Sequence, residues 1–389
     1  WVFFGLRRGG SSYYALDISN PSTPSKLWHI DAASTGFGEL GQSWSQPKLG
    51  YSKLNINGTG NSAVAAPVLF FGGGYDVAKD SSTPGIADVK GRAIYMVDAA
   101  TGTLKWSLAP LGADSTFIGT DSIPSSIGIL DSDGDGMIDR LYTGDTGGNV
   151  WRVDMPSAIA NDSNDPWTVF KLAEFGGTTN STDLRFFNEP SIVRIFMIKD
   201  EHIKTQSFYS AVEPKAPPAL LKNDLYDYTD DPFAKTLTSQ EREGLEIAVN
   251  NKSGWYIDLV EGTGEKSTAD AIVINGVVYF TTFIPPNLEP NVIHCEQPNG
   301  TGLLYAVDLA LGTAIYNWNE TTPDAEPVRK VEINEQFLGA PTLIVVPNDD
   351  GDPETDDDAV GNIIVGRKII PVGFTLQTMR TYLYISEEQ

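Results

Sequence analysis

Repeated copies of one strand motif, a scarcity of helical patterns and an excess of turn residues predict an all-β fold assembled from similar hairpins. In each copy, apolar and aromatic residues run into an aspartate. The copies are Tyr13-Tyr14-Ala15-Leu16-Asp17, Ile94-Tyr95-Met96-Val97-Asp98, Val150-Trp151-Arg152-Val153-Asp154, Leu304-Tyr305-Ala306-Val307-Asp308 and, more faintly, Trp255-Tyr256-Ile257-Asp258. Three continue to a tryptophan, Trp28, Trp106 or Trp318, and two place a glycine, Gly102 or Gly312, in the turn between. Such a pattern ends a strand on an aspartate that accepts hydrogen bonds from turn amides, while glycine takes the positive φ and the tryptophan of the returning strand packs over the joint. The aspartates are spaced by 81, 56, 104 and 50 residues. A propeller blade runs about 40–50 residues, so the short intervals are single blades and the long ones carry insertions or a degenerate repeat. The prediction is one modified β-propeller of six to eight blades with loop insertions, a single domain over residues 1–389.

The remaining elements follow in chain order. Trp1-Val2-Phe3-Phe4-Gly5-Leu6-Arg7-Arg8 reads as a strand and not as a signal peptide, as if the chain were a piece of a longer protein. Val68-Leu69-Phe70-Phe71 precedes three glycines, Gly72 to Gly74, and reads as a core strand. Ala271-Ile272-Val273-Ile274 and Val277-Val278-Tyr279-Phe280 flank Asn275-Gly276, the strongest two-residue hairpin signal. Leu343-Ile344-Val345-Val346 and Ile363-Ile364-Val365 complete the strands. One short helix is expected: Thr238 and Glu241 form a capping-box pattern ahead of Leu245, Ala248 and Val249. It lies in a loop-rich stretch, about 199–251, with Pro214, Pro217, Pro218 and the run Tyr226-Asp227-Tyr228-Thr229-Asp230-Asp231, expected as an insertion on the propeller rim.

Composition narrows the function. Lys and Arg number 27 against 51 Asp and Glu, a net charge of −24 that phosphate backbones and anionic lipid surfaces would repel, so nucleic-acid binding is excluded. The 38 glycines and 24 prolines exceed the roughly 12% of ordinary proteins and imply many tight turns. No run approaches the roughly 18 apolar residues of a membrane-spanning helix. Cys295 is the single cysteine, so neither an intramolecular disulfide nor a multi-cysteine zinc site can form. His29, His202 and His294 are scattered, and His294 with Cys295 would point to opposite faces of an extended strand, which is no arrangement for a thiol nucleophile.

The sharpest chemical motif is Asp131-Ser132-Asp133-Gly134-Asp135-Gly136-Met137-Ile138-Asp139. Aspartates at positions 1, 3, 5 and 9, a glycine at 6 and a backbone carbonyl at 7 are the arrangement that wraps hard oxygen ligands around calcium. Four carboxylates so close together repel one another unless a cation neutralises them. Tyr142 stands where an EF-hand has its bidentate glutamate, so Asp139 must close the site, and the flanks Ile127 to Leu130 and Leu141 to Thr143 read as strands, not helices. The expected ligands are Asp131, Asp133, Asp135, the carbonyl of Met137, and Asp139. A second acidic segment, Asn348 to Asp358, has Thr355 where the turn glycine should be and a stiffening Pro353; it reads as a surface loop, with weak calcium binding as the alternative.

Four stretches resemble the PilC/PilY family of type IV pilus tip proteins. They are Phe4 to Gly10 followed by Tyr13 to Asp17; Phe71-Gly72-Gly73-Gly74-Tyr75-Asp76 followed by the Tyr95 to Trp106 repeat; Ile129 to Asp154, which joins the aspartate loop to Gly144-Asp145 and Gly148-Asn149-Val150-Trp151 in one order; and Gly276 to Phe283. The resemblance implies a modified propeller from a larger secreted protein at the pilus tip or outer surface, acting in pilus biogenesis, calcium-dependent extension and retraction, and adhesion to host or abiotic surfaces, with pilus subunits or minor pilins as partners. Phe196 to Asn223 has no close counterpart in that pattern, and the chain contains no Arg-Gly-Asp tripeptide. Two alternatives belong to other classes. The Asp98, Gly102 and Trp106 spacing also resembles quinoprotein dehydrogenases, propellers that hold pyrroloquinoline quinone beside calcium, but those place the metal between separated blades whereas these aspartates are contiguous. A generic periplasmic scaffold is the other alternative.

Overall fold

Every one of the five motif strands ends on its aspartate: Ser12–Asp17, Ile94–Asp98, Asn149–Asp154, Gly254–Asp258 and Thr301–Asp308. The structure is a computed structural model that describes residues 1–58, 63–80, 83–179, 183–187, 194–199, 218–234, 237–267, 269–286, 300–318, 327–334, 337–347 and 359–376. The chain divides into two compact units, Trp1–Thr229 with Gln240–Asp258, and Asp230–Ser239 with Leu259–Gln389.

The first unit contains four sheets among the described residues. Sheet I joins Val2–Gly5, Ser12–Asp17 and Ser25–Asp31. Sheet II runs Lys48–Asn57, Val64–Gly72, Ile94–Asp98, Leu104–Ala109 and, parallel to the last, the two-residue edge Ser115–Thr116. Sheet III runs Gly128–Leu130, Arg140–Gly144, Asn149–Asp154, Thr168–Glu174 and a parallel edge, Leu220–Leu221. Sheet IV sets Gly254–Asp258 between Arg194–Ile198 and a parallel edge, Tyr226–Asp227. The stretch expected as a rim insertion therefore supplies edge strands to sheets III and IV. It also holds the helix that the capping pattern predicts, Ser239–Asn250.

Alternation along the strands of sheet II shows why the sheets stack. Val68, Phe70, Ile94, Met96 and Leu108 enter one core with Leu141, Trp151 and Val153 of sheet III. Their neighbours Leu69, Phe71, Tyr95, Val97 and Ala109 enter another with Tyr13, Ala15, Trp28 and Ile30 of sheet I. A strand with a side-chain period of two thus buries both faces, which explains its unbroken apolar run. Sheet III repeats the scheme, sending Val150, Leu172 and Ala173 into a third core with Leu225 and Tyr256.

In the second unit, sheet V pairs Val277–Ile284 with Lys266–Ser267, Ile272–Ile274 and Thr301–Asp308, the last of these continuing to Lys330–Asn334. Asn275 at φ 49° and Gly276 at φ 77° make the predicted tight turn, both residues on the left-handed side that a two-residue hairpin of this kind requires. Sheet VI joins Thr342–Pro347, Ala359–Val365 and Lys368–Leu376, and its Ile363 and Val365 pack with Tyr279, Leu304 and Ala306 of sheet V.

The turn after the motif is the same in both units. Asp98 Oδ1 accepts from the amides of Ala100 and Thr101 at 3.1 and 2.9 Å, and Gly102 donates to the Asp98 carbonyl at 2.8 Å. Asp308 Oδ1 accepts from Ala310 and Leu311 at 2.9 and 2.7 Å, and Gly312 donates to Asp308 at 2.8 Å. Two expectations need correction. Asp154 makes no turn of this kind; buried, it pairs with Arg152 at 2.8 Å and Arg140 at 3.0 Å. Trp28 packs over the turn of the next sheet instead of its own: its indole N–H donates to the Ala99 carbonyl at 2.9 Å, and a Cβ on Gly102 would lie 2.8 Å from its ring. The same holds for Trp106, whose ring meets Trp167, ahead of a sheet III strand, at 5.2 Å.

Gly102 has φ 70° as well as the Trp28 contact, whereas Gly112, at φ 66°, has nothing within 4 Å of a built Cβ. Gly102→Ala should therefore cost about 2–4 kcal/mol, backbone strain plus overpacking, and Gly112→Ala only about 1 kcal/mol. Urea denaturation of the two variants checks this, and equal losses would mean that Trp28 does not press on the turn.

Candidate metal loop and the buried polar network beside it

Gly128–Leu130 and Arg140–Gly144 are antiparallel neighbours in sheet III, with Arg140 opposite Leu130 and Tyr142 opposite Gly128. Residues 131–139 are the connection between them, so the aspartate loop interrupts a hairpin, as its apolar flanks predict. The Asp139 amide donates to the Leu130 carbonyl at 3.1 Å and closes the neck. Gly134 at φ 77° and Gly136 at φ 85° supply the left-handed turns. Tyr142 lies in the strand, away from the loop, so position 12 contributes nothing to it.

Within the loop the carboxylates first organise the backbone. Asp131 accepts from the amides of Gly134 and Asp135 through Oδ1 at 2.8 and 3.2 Å, and from Gly136 through Oδ2 at 2.8 Å. Asp135 accepts from the Met137 amide at 2.8 Å. Asp139 takes the Ser132 amide at 3.0 Å and its hydroxyl at 2.6 Å. These bonds bring one oxygen each from Asp131, Asp133 and Asp139 within 4.8 Å of one another. Calcium–oxygen bonds run about 2.3–2.6 Å, so ligands on opposite sides of the ion stand about 5 Å apart, and the triad matches that span. An all-oxygen, carboxylate-rich set suits a hard divalent cation.

Asp135 stands outside the triad because it faces Lys53 of sheet II, at 2.9 Å, with Asp133 at 3.8 Å from the same ammonium. The hydrogen bond from Lys53 holds the Asp135 carboxyl below its usual range, and Asp135 in turn raises Lys53. A backbone bond from Ile138 to the Tyr51 carbonyl at 2.8 Å fastens the loop to the same strand, and Ile138 packs on the core between sheets II and III. Lys53 is the residue that sequence reasoning misses: it lies 78 positions before Asp131, and no motif marks it. The second acidic segment, Asn348 to Asp358, and the His294–Cys295 pair lie outside the described residues.

The hairpin after the loop turns through Asp145, which is fully buried. It accepts from the Gly147 and Asn149 amides at 2.9 Å each, from Asn149 Nδ2 and from the Trp151 indole at 2.7 Å. Nearby, the buried ammonium of Lys79 binds Asp121 at 2.6 Å and Asp88 at 3.3 Å, and Asp88 accepts from the Ser122 amide and the Thr146 hydroxyl at 2.8 Å. This cluster ties the connections of sheet II to the turn of sheet III.

Residues 1–188 match the family model described as the PilY1 beta-propeller domain. A type IV pilus biogenesis factor PilY1 homolog from Xylella fastidiosa is 25% identical over 347 residues, covering 80% of this chain and 22% of the relative. The type IV pilus biogenesis factor PilY1 of Pseudomonas aeruginosa is 25% identical over 415 residues, covering 90% and 33%. The chain thus spans about a fifth to a third of the length of these relatives. The crystal structure of the Pseudomonas aeruginosa PilY1 C-terminal domain superposes with a TM-score of 0.59 over 95% of this chain and 80% of that one, at 18% identity. That likeness establishes a β-propeller fold.

Burial pushes Asp145 up to about 6 from 3.8, against the donors that favour its charge. The stability it contributes is fully present below about pH 3.8, where folded and unfolded forms are both protonated, and is lost as pH rises through about 6, by about 3 kcal/mol. Urea unfolding from pH 4 to 7 should show this declining component in the parent and not in Asp145→Asn; parallel curves would place the folded carboxyl near its ordinary value.

Proposed function

The chain is a propeller of the PilC/PilY family, and on that premise we propose that it is the noncatalytic, calcium-binding part of a type IV pilus biogenesis factor working at the pilus tip or outer cell surface. The observation that carries this reading is the aspartate loop, set into a sheet III hairpin with three carboxylates at calcium spacing, in a chain whose relatives are named as pilus biogenesis factors. Asp131, Asp133, Asp135, Asp139 and the Met137 carbonyl would hold the ion, and bound calcium would neutralise their mutual repulsion. The relatives are named as biogenesis factors and not as enzymes, which supports a noncatalytic role. The same reading takes residues 1–389 as a single propeller domain.

Regulation would arise where the loop meets sheet II. Lys53 offers Asp135 and Asp133 a fixed positive charge, so the metal-free loop is partly neutralised and remains docked. Calcium must compete with that ammonium for Asp135, which makes the affinity depend on a residue of the neighbouring sheet. Binding would stiffen the junction of sheets II and III without refolding either, and the surface offered to minor pilins or to a host or abiotic surface would change with it. Extension, retraction and attachment would then follow calcium.

Calorimetric titration of the chain should give one dominant calcium site, weakened at least tenfold in Asp139→Ala and strengthened severalfold in Lys53→Met, the second because a competing cation is removed. Unchanged affinity in Asp139→Ala would rule out the loop. In cells, Asp139→Ala in the full-length protein should alter piliation and twitching at normal protein levels, and a parental phenotype would leave calcium without a role in pilus control.

A further inference from the structure

Among the described residues, left-handed backbone falls on glycines and on three other residues, Arg7 at φ 50°, Asp231 at φ 46° and Asn275 at φ 49°. Asp and Asn tolerate this region because their short side chains bond the local backbone, whereas an arginine there is strained. The backbone bonds of Arg7 do not call for a side chain. Its amide donates to the Ser43 carbonyl at 3.1 Å and its carbonyl accepts from the Gly10 amide at 3.3 Å, bonds that a glycine would make equally well. Strain that a glycine would relieve points to a use for the side chain that causes it.

Arg7 is exposed, and its guanidinium lies 5.6 Å from the ring centroid of the half-buried Trp44. Arg8 lies over the same ring at 5.9 Å and over buried Tyr75 at 5.8 Å, so covering Trp44 does not depend on Arg7. Half-buried Phe187 meets Trp44 at 5.5 Å and Tyr75 at 5.3 Å. The carboxylates of this cluster are already committed. Asp80 accepts from Arg8 at 2.6 and 3.0 Å and from the Tyr75 hydroxyl at 2.8 Å, and Asp183 pairs with Arg185 at 2.7 Å. The bonds from Arg8 and Tyr75 hold Asp80 down at about 2, so it stays ionised and occupied. Three guanidiniums thus share two carboxylates, and among the described residues that of Arg7 makes no hydrogen bond or ion pair.

We propose that Arg7 anchors a docking surface for a protein segment that presents one carboxylate beside an aromatic side chain. Stacking engages the face of a guanidinium and leaves its in-plane N–H donors for a carboxylate, which the planar fork can take with two bonds. Held over Trp44, the group has little freedom left to lose on binding. Charge fixes the class of ligand. A chain of net charge −24 repels a polyanion before it reaches the patch, and a phosphate group, at roughly −1.5 to −2, exceeds the one uncommitted cation. A single carboxylate matches it one to one. The half-buried rings of Trp44 and Phe187 already meet at 61°, and a partner's aromatic side chain extends such a cluster edge to face. This inference goes beyond the pilus reading and stands without it.

Saturation-transfer NMR on the full chain tests this surface, with the acetylated dipeptide amides Phe-Asp and Asp-Phe as probes and Phe-Asn and Asn-Phe as their uncharged counterparts. At least one acidic probe should receive saturation on its ring protons, and its counterpart should bind at least tenfold more weakly. Arg7→Gly removes the guanidinium and relieves the backbone, so it should abolish binding of the acidic probe while melting no lower than the parent. No saturation of either acidic probe, equal saturation of acidic and uncharged probes, or parental binding in Arg7→Gly overturns the proposal. So does a melting temperature of Arg7→Gly well below that of the parent, which would make the guanidinium a prop for Trp44. Tighter binding of inorganic phosphate or glucuronate than of either dipeptide, read by displacement, would make the patch a site for that anion and overturn it as well.

Discussion

A sheet that is apolar on both faces is insoluble until something covers each of them, and this constraint organises the first unit. In sheet II the odd and even residues of one strand belong to different cores, Ile94 and Met96 facing sheet III while Tyr95 and Val97 face sheet I. No sheet in such a series completes its burial from its own sequence, so each hairpin depends on the next. The tryptophans express the same dependence in polar terms. Trp28 can be buried because its N–H finds a carbonyl in the turn of the neighbouring sheet, and Gly102 keeps that turn bare enough to receive it.

Interlocking of this kind sets the context for the aspartate loop. A hairpin connection is ordinarily the part of a sheet that can move with least consequence, yet this one is tied by Ile138 to a second sheet through a backbone hydrogen bond and core packing. Its charge is likewise shared, since Lys53 answers Asp135 from across the junction. Close by, the buried Lys79 with Asp88 and Asp121 fixes the connections between the same two sheets. The charge of the loop is thereby anchored at a seam between two sheets and not at a free end.

Much of this was legible in the sequence because it is local. The strand-ending aspartates, the Asn275-Gly276 turn, the helix over Ser239–Asn250 and the strand flanks of the loop all depend on residues within a few positions of one another. What could not be read is what strands do to one another once they are paired and stacked. Asp154 shares the motif of Asp98 and Asp308, but Arg140 and Arg152 capture its carboxylate, and the arginine of the adjacent strand becomes relevant only once the register is known. Lys53 and the reach of Trp28 are invisible for the same reason.

Sheets II, III and IV each finish on a parallel strand of only two residues, Ser115–Thr116, Leu220–Leu221 and Tyr226–Asp227. An open sheet edge is a template on which another chain can add a strand, and a long one invites fibre growth. Two residues offer too few backbone groups in line to hold a foreign strand in register, and their parallel direction leaves the bonds slanted and weaker still. At these three edges the sheets therefore give a foreign strand almost nothing to pair with.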